Sequence, residues 1–135
     1  MSTMLNTEAP ILDHLPQTIK NALPSAVTDK LASLESEHEM WLLPPLVDLC
    51  ARLREPGQQQ HGTLESEGRA ARGNGFLHVV IPPDTNPILE NGSLLKGLRE
   101  RALDDGGIHL HILGALTAGL EGERPSNIAG LKKGG

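Results

Sequence analysis

The chain has no tyrosine, one tryptophan, one phenylalanine and one cysteine in 135 residues. Each scarcity closes off an explanation. Without tyrosine the usual anchors of adaptable binding surfaces and of base stacking are missing. Aromatic rings supply much of an ordinary core, so leucine must take their place. A leucine-dominated core builds readily from helices and specifies unique packing less sharply. The single cysteine, Cys50, excludes an intramolecular disulfide, and nothing suggests an oxidising compartment. It falls among Leu46, Leu49 and Leu53 and reads as a small buried hydrophobe rather than a nucleophile. No run approaches the roughly 20 apolar residues of a membrane span. The opening MSTMLNTEAP lacks the basic start and apolar stretch of a signal peptide. A cytoplasmic location is the expectation.

Basic patches are also lacking. The net charge of −5 comes from residues 1–55 at −4, residues 56–75 at zero and residues 76–135 at −1. Phosphate binding needs clustered Lys and Arg, and beyond Lys132-Lys133 there is only scattered Arg. Nucleic acid is therefore not expected as the main partner. The acidic N-terminal half suits solubility or a basic protein surface.

What is present is organised around the run Glu55 to Gly75, EPGQQQHGTLESEGRAARGNG. Its only sizeable apolar side chain is Leu64, too little to offset the entropy of ordering it. It reads as a flexible polar linker over 56–75, and deleting 57–73 should then leave both halves folded. Before it, residues 1–55 read as a helical arm punctuated by proline. Ile11, Leu12, Leu15, Ile19 and Leu23 suggest two half-length helices interrupted by Pro16 and ending at Pro24. Ser25 is a candidate N-cap for a better helix, with Val27, Leu31, Leu34, His38 and Trp41 on one stripe. Beyond Pro44-Pro45, Leu46, Leu49, Cys50 and Leu53 continue at helical spacing. Glu35, Glu37, His38 and Glu39 invite a metal reading. The Glu-x-x-His pair of di-metal bundles needs a second copy, however, and none occurs, so a solvated acidic face is expected.

After the linker, Phe76 to Ile81 reads as a strand, Leu94 to Leu103 as a helix capped at Asn91-Gly92-Ser93, and Ile108 to Leu113 as an alternating strand. Leu94, Leu95, Leu98 and Ala102 form the buried face of that helix, and Asp104-Asp105-Gly106-Gly107 stops it. Strand, helix, strand makes a parallel βαβ-like unit over 76–121, with 122–135 as a flexible C-terminal tail. The fold class is α+β.

No third strand is evident, and a two-stranded parallel sheet is marginal alone. The first functional expectation follows from that. It is a non-enzymatic assembly or adaptor protein, without cofactor, whose sheet is completed by self-association or by a protein partner. The alternative is a small zinc-dependent hydrolase or lyase. His109 and His111 share one face of their strand, and His78 shares a face with Phe76 and Val80. If the helix covers the other side, all three imidazoles converge. Three histidines with an open fourth position are the ligand set of a catalytic zinc. Glycine and serine at 92–93 read as an ordinary cap.

Overall fold

The computed structural model describes Asp13, residues 15–37 and residues 43–135. The chain divides into two units, Met1–Pro44 and Pro45–Gly135.

In the first unit, α1 spans Gln17–Ala22 and α2 spans Ser25–Glu37. Each follows directly on a proline whose carbonyl accepts its first helical bonds. Ile19 and Val27 donate to Pro16 and Pro24, both at 2.9 Å. Proline here starts helices rather than breaking them, because the missing N–H would have been an orphan in the first turn anyway. His38, Glu39 and Trp41, with Ile11 and Leu12, lie outside the described residues, as do the side chains of Glu35 and Glu37.

The second unit runs β1 (Leu46–Asp48), α3 (Leu64–Gly73), β2 (Phe76–Ile81), α4 (Gly92–Asp104), β3 (His109–Ile112), a 3₁₀ turn (Ala118–Leu120) and α5 (Ile128–Gly134). The three strands form one parallel sheet with β2 in the centre. Helices with a small parallel sheet agree with the expected α+β class, and the strand–helix–strand at 76–113 stands where the residue pattern put it.

Three expectations are corrected. The segment after Pro45 is a strand, not a helix. Its residues gain ladder bonds from β2, with Leu46 N–H donating to Gly75 O at 2.8 Å and Ala51 N–H to Val80 O at 2.9 Å. Pairing overrides the i, i+3, i+4 spacing of its leucines. This is also the third strand that the sequence did not disclose. Residues 56–75 are not a linker, since α3 occupies half of them. Thr63 caps it, accepting from Ser66 N while the Ser66 hydroxyl accepts from Thr63 N, a reciprocal capping box. The tail is likewise ordered by α5, whose Leu131 joins the core.

That core is leucine-rich, as the aromatic scarcity requires. Leu53, Leu64, Leu89, Leu95, Leu98, Leu110 and Leu131 pack with Val79, Ile81, Ala102 and Ile108. Leu95, Leu98 and Ala102 of α4 are buried as expected, and Leu94 is partly so. The cap of α4 is Asn91, which accepts from Ser93 N at 2.9 Å. Among the described residues no helix is long and apolar enough to cross a membrane.

Candidate functional site

The alternation of β2 and β3 puts Val79, Ile81 and Leu110 into the core and turns His78, His109 and His111 away from it. The parallel register pairs His78 with His109, and Val80 with His111. The three imidazoles therefore do come together. His78 Nδ1 lies 3.0 Å from His111 Nε2, and the His78 ring stacks on that of His109 with centroids 4.9 Å apart and planes at 21°.

A zinc ion binds in the plane of each imidazole at about 2.0–2.1 Å. Two rings stacked nearly parallel keep their nitrogen lone pairs in separate planes. The His78–His111 contact meanwhile uses one nitrogen of each ring. Among the described residues no group of three His, Cys, Asp or Glu surrounds a point where a metal could sit. As they stand, these residues do not fit a three-histidine zinc.

A different cavity sits where parallel α/β enzymes hold their ligands, beyond the carboxyl ends of the strands. It has a volume of ≈ 340 Å³ and lies between the chain that follows β1 and the turn that follows β2. Arg52, Arg54 and Gln58 line it from the first segment, and Asp84, Thr85 and Asn86 from the second. The two segments press together at Gly57, where φ is +99° and a side chain would run into the Asn86 carbonyl. Arg54 is a non-glycine residue at φ +66°. Left-handed backbone at such a residue costs energy, and it tends to persist where function or packing over-determines it. The packing is visible, because Leu53 and Glu55 on either side are buried.

Glu55 explains how this loop is anchored. Its carboxylate is only 5% exposed. It accepts from Leu64 N at 2.9 Å and pairs with Arg101 Nη1 at 2.6 Å. One buried acid thus ties the loop to the start of α3 and to α4. No described buried side-chain polar atom lacks a hydrogen-bond partner.

Across the mouth of the cavity Arg52 and Asp84 form a close ion pair. The hydrogen bond from Arg52, helped by its charge, holds the Asp84 carboxyl below its ordinary range. The hydrogen bond to Asp84 likewise raises the Arg52 guanidinium above its own. A carboxyl whose folded pKa is depressed contributes stability above its unfolded value, about 3.9, and loses it as pH falls through the folded value. Asp84→Asn is therefore expected to melt below the wild type at pH 6. The difference should vanish as pH drops below 4, as read by circular dichroism melts across that range. Solvent exposure of both groups keeps the effect modest.

Cys50 is exposed, not buried. It follows β1 at a bend where its N–H donates to Asp48 Oδ1 at 2.9 Å, and Leu46 and Leu49 beside it in the sequence are exposed as well. The cavity residues themselves went unread in the sequence. Asp84, Asn86 and Pro87 are turn-forming residues after β2. Without β1, however, nothing placed Arg52 and Arg54 beside them.

No protein-family model matches the chain. It is similar to a dihydroorotase of Ruminiclostridium cellulolyticum, 39% identical over 93 residues, which is 69% of this chain and 22% of that protein. A dihydroorotase-like protein of Pseudomonas aeruginosa is 39% identical over 89 residues, covering 66% of this chain and 21% of its own length. A dihydroorotase of Syntrophobacter fumaroxidans matches over 113 residues at 31% identity, covering 84% and 26% respectively. The chain thus spans about a fifth to a quarter of the length of these relatives. Similarity to proteins named as enzymes overturns the adaptor and assembly expectation, and it leaves the expectation of no cofactor without support. Between the two readings drawn from the sequence, it favours the hydrolase.

Proposed function

We propose that the chain is part of a hydrolase of the dihydroorotase kind, and that the cavity beyond β1 and β2 receives its substrate. The observation that carries this reading is the 39% identity over 93 residues to a dihydroorotase. The position of the cavity at the carboxyl ends of parallel strands supports it.

Dihydroorotate is a cyclic amide that bears a carboxylate, and the cavity offers groups suited to both features. Arg54 lines it and, among the described residues, its side chain has only a long contact to Gln58 Oε1, at 3.5 Å. Its fork is the natural partner for a carboxylate, since bidentate Arg–carboxylate pairing is strong and directional. Arg52 is already engaged by Asp84. Thr85 and Asn86 also line the cavity; the Asn86 amide can serve ring N–H and C=O groups, while the Thr85 hydroxyl donates to Pro87 O at 2.7 Å and keeps its oxygen as an acceptor. Hydrolysis of a ring amide adds water to the carbonyl and breaks the C–N bond. A zinc ion would supply an activated water for such a step. The described residues of this chain do not assemble a ligand set for it, so what they contribute is binding and orientation.

Calorimetric titration of the purified chain with dihydroorotate tests this. Saturable binding is expected, and Arg54→Ala should weaken it at least tenfold, the loss of one charge-assisted contact worth about 1.5–3 kcal/mol. Ring opening with zinc added would extend the result to turnover. Absence of saturable binding, or binding indifferent to Arg54→Ala, overturns the proposal.

A further inference from the structure

We propose a second ligand site, separate from the strand-end cavity, that binds a small oxyanion along the free edge of β3. It goes beyond the hydrolase reading and shares no residue with that cavity. A groove of ≈ 360 Å³ is lined there by His78, His109, His111, Lys96 and Arg99, with Glu100 as its one acid. Five nitrogen-bearing basic side chains from β2, β3 and α4 thus meet in a protein whose net charge is −5.

The features that fail a metal cation suit an anion. The stacked His78 and His109 rings do not converge their lone pairs on one point. Lys96 and Arg99 in the same groove repel a cation. An oxyanion with two or more oxygens instead accepts from several N–H groups at once, and each bond is charge-assisted wherever the donor is Lys, Arg or a protonated imidazole.

Three of the donors are already oriented. Arg99 is held through one Nη1 bond to Gly135 O at 3.2 Å, which leaves other donors of its fork free. The His78–His111 contact holds those two rings together on the groove, centroids 5.3 Å apart with planes at 29°. Among the described residues Lys96 pairs with Glu100 alone, at 3.8 Å on an exposed helix face, a pair weak enough for an incoming anion to displace. On its far side β3 pairs with no strand among the described residues, so the groove is open to solvent. The ligand class is a phosphoryl or carboxylate anion.

The test is an NMR titration of imidazole resonances in the full chain at constant ionic strength. Inorganic phosphate and malonate are used in separate arms. Saturable shifts of His78, His109 and His111 at low-millimolar concentration are expected, with His61 unmoved as internal control. The double variant Lys96→Ala, Arg99→Ala should weaken binding about tenfold, with unchanged circular dichroism. Both substitutions lie on exposed positions of α4, so folding should survive. Tighter binding of phosphate assigns a phosphoryl ligand, and tighter binding of malonate a carboxylate. Shifts that rise linearly, that are equal at His61 or that persist in the double variant show an adventitious ion only and overturn the proposal. Stoichiometric zinc binding at the same rings would overturn it too. Failure here leaves dihydroorotate binding through Arg54 untouched, so the two readings fall separately.

Discussion

Replacing Leu64 with alanine is expected to lower the unfolding free energy of the Pro45–Gly135 unit by about 2–5 kcal/mol. Leu64 is fully buried, and it opens α3 while its backbone N–H is held by Glu55. Truncation removes its transfer free energy and leaves a cavity that a helix pinned by its cap cannot collapse to fill. Against the roughly 5–15 kcal/mol that a domain typically holds, this is a large fraction. Chemical denaturation followed by circular dichroism would measure it. Leu116→Ala, at a side chain 73% exposed, serves as the control and should change stability by less than about 0.5 kcal/mol. A loss below about 1 kcal/mol at Leu64 would mean that α3 is not part of the core. The same logic reverses an expectation drawn from composition. Deleting 57–73 removes Leu64, the capping box and one partner of Glu55, so cooperative unfolding of the second unit should be lost rather than preserved.

Gly68→Ala and Gly97→Ala should move stability in opposite directions, although both glycines lie inside helices. Alanine is preferred to glycine in a helix interior by about 0.5–1 kcal/mol. At Gly97 of α4 a new Cβ would meet nothing within 4 Å, so that gain should appear in full. At Gly68 of α3 the new Cβ would come 2.7 Å from Gly106 Cα, backbone that cannot rotate away. Gly106 is equally constrained, because a Cβ there would stand 2.6 Å from the Leu64 carbonyl oxygen. The turn that follows α4 and the body of α3 approach most closely at these two glycines. Overpacking of this kind typically costs about 1–3 kcal/mol. Matched thermal melts of the two variants give the signs directly, and two stabilising results would refute the close approach.

The legible parts of this protein were those where local pattern and tertiary fate agree. FLHVVI is β-prone and sits at the sheet centre, and IHLHIL alternates because one face is core. Leu95, Leu98 and Ala102 recur at helical spacing because α4 has one buried side. Those elements also carried His109 and His111 to one face, as alternation required. The illegible parts were those where a few contacts outweigh composition. Leu64 anchors a polar run, with Gly68 buried and Ala71 packed beside it, and the capped helix start then docks α3. Leu46, Leu49, Cys50 and Leu53 look helical by spacing, yet Leu46–Asp48 becomes a strand because β2 offers unpaired ladder groups.

What the residues by themselves determined is the α+β class, the leucine core forced by the lack of aromatics, the β2–α4–β3 sequence and the shared face of His109 and His111. These follow from periodicity and burial, which act over a few residues. Only the tertiary structure decided that Arg52 meets Asp84, that Arg54 faces Thr85 and Asn86, and that Lys96 and Arg99 join the histidines. Each of those meetings joins residues between 10 and 32 positions apart along the chain. Loop-closure entropy and strand register set them, and neither is written in local spacing.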